Sequence, residues 1–249
     1  MLRRLIALGA AVLGVTVLAA PAAANHSWGN YHWARTSNPF TVPLGDNVTN
    51  TAYSNWDGAL AAASSDWSQS SVLDAPVVPG QAKGKNCRGV DGTIQVCNAS
   101  YGFNGWLGLA QIWISGVHIV RGTTKVNDSY FNSPSYSYTN ERHVMCQEIG
   151  HGFGLDHQDE SGADLNTCMD YSNALDNPSP NAHDYQQLET IYAHLDSSST
   201  VSQFLPEDAS PIATERLDTI RTSRIVEHFG NGFARVTFII WALEGPGQS

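Results

Sequence analysis

A short stretch of the chain combines residue types and spacing that could hold a metal ion. The segment QEIGHGFGLDH begins at Gln147 and ends at His157. Residues four apart on a helix project from the same face, so Gln147 and His151 could hold one ion between them. Gly154 could let the chain turn back, which would bring His157 in as a third ligand. Glu148 would then lie beside the ion, where a carboxylate could take a proton from water.

This ligand set predicts a zinc site of reduced affinity. A catalytic zinc ion takes three protein ligands and keeps a fourth position for water. Gln147, His151 and His157 would supply the three ligands. The amide oxygen of Gln147 is neutral, as imidazole is, so the ion would keep its full charge and could still acidify water. An amide is a poorer donor than imidazole, so Gln147 is expected to bind zinc weakly, either directly or through a water molecule.

The same segment resembles the metzincin signature H-E-x-x-H-x-x-G-x-x-H of zinc metalloproteases, with Gln147 in the place of the first histidine. Met169 in CMDYS resembles the methionine that lies beneath the metal in that family. Tyr171 resembles the tyrosine of the M-x-Y version, which approaches the metal or the oxyanion. The gap residues are closest to the matrixin branch. The resemblance, to secreted bacterial proteases of the matrixin type, covers roughly residues 30–197.

The resemblance implies a fold and a function. The fold would be a metzincin-like α/β catalytic domain with a twisted, mostly parallel sheet, two long helices and a methionine turn, plus a C-terminal β-hairpin extension. The function would be a zinc-dependent metalloendopeptidase with Glu148 as general base and Tyr171 as a donor to the oxyanion. Asp156 and Asp170 could orient histidine rings. The alternative function is a protease-like scaffold that has lost catalysis and binds peptide or protein in the former cleft.

The cysteines predict two disulfides. The chain has Cys87, Cys97, Cys146 and Cys168. An even number in an exported chain suggests two bonds, with three connectivities open, and the absence of a C-x2-C pair disfavours a four-cysteine zinc site. The resemblance favours the pairs Cys87–Cys97 and Cys146–Cys168, because Cys146 directly precedes Gln147 and Cys168 directly precedes Met169, which would lie beneath the metal.

Other metal interpretations fit the sequence less well. Glu148 and His151 also form the E-x-x-H pair of di-iron bundles, but no second such pair occurs and glycines end the helix. His143 cannot replace Gln147, because it lies two turns from His151, about 12 Å along a helix axis. The remaining histidines lack ligand spacing and are expected to be structural; they are His26, His32, His118, His183, His194 and His228.

The N-terminus predicts export. A basic start, an apolar run and the small residues Ala22–Ala24 read as a secretory signal peptide over residues 1–24, with Asn25 as the mature start. The domain prediction is then a metalloprotease domain over 25–197 and an extension over 198–249. The protein is expected to be secreted and extracellular.

The charge predicts which partners are excluded. The net charge is −10, which disfavours nucleic acid and anionic lipid. The expected partner is a protein or peptide substrate. No membrane contact is expected after signal removal, and the chain is expected to be a monomer.

Periodicity predicts three helices and several strands. An amphipathic helix is predicted where Trp56, Leu60, Ala63 and Trp67 recur on one face. A second helix should run from about Glu141 to Phe153, capped by Thr139 or Asn140. A third is expected near 183–195, with Leu195 on its apolar face. Strands are predicted at NYHWART, TIQVCNASYG, LAQIWISGVHIV and TKVNDSYF, and a hairpin at the turn Gly230-Asn231-Gly232.

Overall fold

The computed structural model describes residues 26–158, 162–170, 172, 174–199, 209–219 and 221–242. The predicted signal segment, Asn25 and Tyr171 lie outside these residues. Within the described ranges, no helix has the length and apolar character needed to cross a bilayer.

The chain forms a mixed α/β structure around one large sheet. The helices are α1 (Trp56–Trp67), α2 (Asp128–Phe131), α3 (Tyr138–Gly152) and α4 (Ala182–Ile191). The strands before α1 are β1 (His32–Trp33), β2 (Phe40–Thr41) and β3 (Leu44–Asn47). The strands between α1 and α2 are β4 (Leu73–Asp74), β5 (Val77–Pro79), β6 (Ile94–Ala99), β7 (Trp106–Ser115) and β8 (His118–Asn127). The last strands are β9 (Ala213–Asp218), β10 (Thr222–Gly230) and β11 (Phe233–Trp241).

The large sheet is half parallel and half antiparallel. Its order is β5-β3-β6-β8-β7-β11-β10-β9, and β1 also pairs with β8. Strands β5, β3, β6 and β8 run parallel, whereas every pairing from β8 through β7 to β9 is antiparallel. The expectation of a mostly parallel sheet is therefore corrected. The reason is that the C-terminal extension adds three antiparallel strands to the edge of β7.

Helix α1 confirms the helix predicted from its apolar face. Trp56, Leu60, Ala63 and Trp67 are buried on that face. Each large apolar side chain contributes about 1.5–3 kcal/mol on burial. The indole Nε1 of Trp67 also donates to the carbonyl of Cys146, at 3.1 Å, and so ties α1 to α3.

Helix α3 begins earlier than the sequence predicted. Its N-cap is Ser137, whose hydroxyl accepts from the Asn140 N–H while the Asn140 side chain accepts from the Ser137 N–H. This reciprocal capping box takes precedence over a cap at Thr139 or Asn140 itself. The predicted exit is confirmed, because Gly154 has φ +93 and a Cβ there would lie 2.2 Å from the Tyr31 carbonyl oxygen.

Helix α4 is shorter than predicted. It ends at Ile191, with Tyr192 as C-cap, and Leu195 is 56% exposed instead of sharing the buried face. Beyond the helix, Asp196 lies against Arg35: the Arg35 N–H and guanidinium donate to its Oδ2 at 3.1 and 2.9 Å.

Candidate metal centre

Helix α3 and the turn that carries Met169 are held together covalently. Cys146 and Cys168 form a disulfide, as do Cys87 and Cys97, which are the pairs favoured from the sequence. The Met169 side chain is fully buried, and a Cβ placed on Gly150 would lie 2.5 Å from its Sδ. Only glycine at that position lets the methionine turn pass so close beneath α3.

The two histidines of the segment lie side by side. The ring centroids of His151 and His157 are 4.6 Å apart, and the rings are inclined by 73°. The Nδ1 of His151 lies 2.9 Å from the Leu155 carbonyl oxygen. A carbonyl oxygen only accepts, so Nδ1 carries the proton and Nε2 keeps its lone pair. That Nε2 is buried and has no hydrogen-bond partner among the described residues. Burial lowers the pKa of His151 to about 3, so the ring is neutral.

The amide of Gln147 is oriented by the methionine turn. Its Nε2 donates to the backbone carbonyl of Asp170 at 3.0 Å. The amide oxygen of Gln147, Oε1, is buried and accepts no hydrogen bond within the described part of the chain. The Asp170 carboxylate accepts from the N–H groups of Leu165 and Ser172, so it organises the turn and not a histidine ring.

Asp156 lies next to the second histidine. Its Oδ1 accepts from the His157 N–H at 2.9 Å and is 3.5 Å from the ring Nδ1. Its Oδ2 pairs with the guanidinium of Arg224 from β10. Burial alone would raise the pKa of Asp156, but its hydrogen bond with His157 and the charges of His157 and Arg224 outweigh burial and lower the pKa to about 2. Asp156 is therefore an anion that fixes both His157 and the hairpin.

Glu148 is fully buried beneath two strands. Burial raises the pKa of Glu148 well above its usual value, and the backbone N–H groups of Ala110 and Ile240 partly offset this effect. These groups face the carboxylate, but neither oxygen has a hydrogen bond of good geometry in the described residues. A Cβ on Gly108 would lie 2.7 Å from Oε1, so β7 passes directly over the carboxylate.

The C-terminal hairpin, strands β10 and β11, covers this site. The ring of Phe238 stacks on the His151 ring with centroids 4.0 Å apart and planes inclined by 3°. Strand β11 pairs with β7 so that Phe238 lies opposite Ala110 and Ile240 opposite Gly108. The sequence indicated the hairpin through its glycine turn, but no local pattern indicated that it would dock on β7. Phe238 was therefore missed.

The structure also groups histidines that the sequence left apart. Two sets of histidines and a carboxylate bring ligand atoms within 4.8 Å of one another: His26, His183 and Asp184, and His32, His118 and Asp196. Their members come from separate elements, so spacing along the chain gave no signal for them. His143 is fully buried, with its Nδ1 2.8 Å from the Asn177 carbonyl oxygen, and was expected only as a polar residue near the helix start.

Comparisons with known proteins add little to this geometry. No protein-family model matches the chain, and no curated protein matches it. Among solved structures, the chain is similar to the structure of myroilysin at a TM-score of 0.38 and 14% sequence identity, over 65% of this chain and 96% of that one. Likeness at this level carries no conclusion about function. The described residues define a mixed α/β protein with a buried amide–histidine site.

Proposed function

We propose that this chain is a secreted zinc-dependent endopeptidase whose cleft is closed by its own C-terminal hairpin. The observation that carries the proposal is the set of buried acceptor atoms beside Glu148. Gln147 Oε1 and His151 Nε2 are both desolvated and lack partners among the described residues, and the His157 ring lies beside the His151 ring. Leaving such atoms unsatisfied costs about 1–3 kcal/mol each, a cost that a bound cation would remove.

The residues present fit a zinc ion. The imidazoles of His151 and His157 and the amide oxygen of Gln147 would hold it, with the Leu155 carbonyl orienting His151 and the Asp170 carbonyl orienting Gln147. When bound, zinc supplies Lewis acidity to the scissile carbonyl and to a water molecule. Glu148 would accept the proton of that water and deliver it to the leaving amine, a role suited to a carboxylate with a raised pKa. Tyr171 remains a predicted donor to the oxyanion.

The substrate would be an extended peptide paired with β7. Extended peptides add to the edges of sheets, and β7 passes over Glu148 at Gly108. Strand β11 takes that position, so a substrate would enter only when the hairpin leaves. Two disulfides suit the oxidising environment of an exported protein.

The second candidate function is a scaffold that binds peptide without cleaving it. Two observations favour it: the amide at position 147, which is engaged by Asp170, and Phe238 stacked over His151. The buried Glu148 favours the enzyme, because a binding module has little use for an unsatisfied carboxylate at that place.

One set of assays separates the two functions. Zinc per chain and casein cleavage are measured for the wild type, Gln147→His and Glu148→Ala, each also with Phe238→Leu to weaken the cover. The enzyme predicts zinc binding and chelator-sensitive cleavage that Glu148→Ala abolishes and Phe238→Leu increases. Absence of zinc and cleavage in the wild type and in Phe238→Leu, with both restored by Gln147→His, would support the scaffold.

A further inference from the structure

A second group of metal-ligand side chains lies away from α3. It consists of His32 on β1, His118 at the start of β8, and His194 and Asp196 after α4, and is called the histidine–aspartate cluster below. His32 and His118 are partners in the register of β1 and β8, so their side chains start from adjacent strands. His194 and Asp196 are brought to them by the turn that ends α4.

The donor atoms of the cluster converge. The Nε2 atoms of His32 and His194 are 3.1 Å apart. The Asp196 Oδ1 lies 3.5 Å from the Nε2 of His32. The same oxygen lies 3.1 Å from the Nε2 of His118 and 3.8 Å from that of His194. A tetrahedral zinc ion with bonds of about 2.0–2.1 Å places its donors about 3.3–3.4 Å apart. The separations of four donor pairs, 3.1–3.8 Å, bracket that value, and the ligand atoms of His32, His118 and Asp196 all lie within 4.8 Å of one another.

Hydrogen bonds from outside the cluster orient the donor atoms of His32 and Asp196. The Nδ1 of His32 lies 2.8 Å from the Asn30 carbonyl oxygen, so it carries the proton and the Nε2 lone pair points into the cluster. Arg35 engages the Oδ2 of Asp196 and leaves Oδ1 directed at the imidazoles. Such outer hydrogen bonds are the usual support of ligating histidines and carboxylates. Without a metal, the His194 Nε2–H donates to the His32 Nε2 at 3.1 Å, and a bound cation would replace that proton.

We propose that the histidine–aspartate cluster binds one zinc ion with a structural role. Three imidazoles and one carboxylate complete a four-coordinate shell, which is typical of structural and not catalytic zinc. The side chains of His194 and His118 are 53% and 29% exposed, so an ion can enter from solvent. The ion would join three separate parts of the chain: the short strand β1, the start of β8 and the segment after α4.

The site would also support the end of α3. The residue after His32 is Trp33, whose indole Nε1 donates to the Gly152 carbonyl at 2.9 Å. Tyr31, which precedes His32, places its carbonyl against Gly154. Strand β1 pairs with β8 at only two positions. An ion on His32 would therefore fix a two-residue strand that contacts the exit turn of α3.

The test uses the full mature chain with the α3 ligands removed, as His151→Ala with His157→Ala. After chelation and dialysis, this chain is titrated with Co²⁺ and Zn²⁺ alone. We expect one equivalent to bind, a visible Co²⁺ spectrum of tetrahedral type, and a rise in Tm. Adding His118→Ala or His194→Ala should weaken binding by more than about 100-fold, beyond the loss that removal of an outer partner causes. The matched control is His228→Ala, because His228 is half-buried, pairs with Glu215 and lies outside the cluster.

Three results would overturn the proposal: no metal bound by this chain, equal loss on His228→Ala, or full binding retained by His118→Ala and His194→Ala. If the variant that lacks both α3 histidines does not fold, wild type and His194→Ala are compared instead. Loss of one equivalent of zinc in His194→Ala supports the site, and an unchanged stoichiometry and affinity contradict it.

Discussion

At the scale of single residues, the amide of Gln147 sets how well the α3 site can hold a cation. Its orientation depends on the Asp170 carbonyl, which is supplied by a turn remote in sequence. The residue types and spacing in the sequence were sufficient to propose the ligands. They could not indicate which end of the amide faces the histidines, because the group that decides this comes from another segment.

Replacing Gln147 with histidine should strengthen zinc binding. Imidazole is a better zinc donor than an amide oxygen, so Gln147→His is expected to lower the Kd by about tenfold or more, or about 1.4 kcal/mol. Competition with a chelator of known affinity measures the change. Gln111→His is the matched control, because Gln111 bonds to Thr237 on the strands and lies outside the ligand set. An equal gain in both variants would show that the added histidine binds zinc nonspecifically.

The buried carboxyl of Asp184 should make stability depend on pH. Burial raises the pKa of Asp184 to about 6, although hydrogen bonds from Thr167 and Asn181 lower it. The folded protein then holds this proton more tightly than the unfolded chain does. Its contribution to the free energy of unfolding is therefore present below about pH 4 and is lost as the pH rises to about 6.

The measurement compares wild type with Asp184→Asn between pH 3 and pH 8 by denaturant unfolding. The asparagine side chain keeps the shape and the acceptor oxygen but does not titrate in this range. The His26 Nε2 lies 3.7 Å from Asp184 Oδ1, so the difference between the two curves reports Asp184 together with this contact. Burial lowers the pKa of His26 to about 4, and its own effect on stability has the opposite sign. Parallel curves across the whole range would contradict the prediction.

At the scale of elements, local sequence patterns predicted the secondary structure of the segments. They did not predict where the C-terminal hairpin joins the sheet. The apolar face of α1 and the left-handed Gly154 followed from spacing and from glycine chemistry. The turn at Gly230 likewise predicted β10 and β11. Docking of β11 on β7 is a pairing between distant segments, and an alternating strand does not specify its partner.

Removing the ion pair that attaches the hairpin beside His157 should expose the α3 metal site. Arg224 joins β10 to Asp156, so Arg224→Ala should remove that tie and let β11 leave β7 more often. We expect faster hydrogen exchange of the β7 and β11 amides and faster zinc uptake by the metal-free protein. Arg235→Ala is the matched control, since Arg235 pairs with Glu227 within the hairpin itself. Equal acceleration in both variants would mean that the hairpin has merely lost stability.

At the scale of the whole molecule, the two disulfides are expected to have different roles. Cys146–Cys168 closes a separation of 22 residues between α3 and the methionine turn, and Cys87–Cys97 closes one of 10 residues between β6 and the segment that precedes it. Removing Cys146–Cys168 by a double alanine substitution should cost about 3 kcal/mol, or about 6–12 °C in Tm. It should also reduce zinc affinity, because Gln147 depends on the turn.

The double alanine variant of Cys87 and Cys97 is the control for this effect. It should lower Tm by a similar or smaller amount and leave zinc affinity at the α3 site unchanged. Thermal scans and chelator competition on both variants measure the two quantities. An equal fall in zinc affinity for the two variants would show that the bond between α3 and its turn has no special role at the site.

The pairing of β11 with β7 also affects how separate molecules associate. When the hairpin leaves the sheet, the backbone donors and acceptors of β7 lose their partners. The strand β11 of a neighbouring molecule can then pair with β7. Concentrated protein is therefore expected to form reciprocal dimers in which each partner lends its last two strands to the other. Dilution should reverse them only slowly, a behaviour that size-exclusion chromatography after incubation at two concentrations would detect.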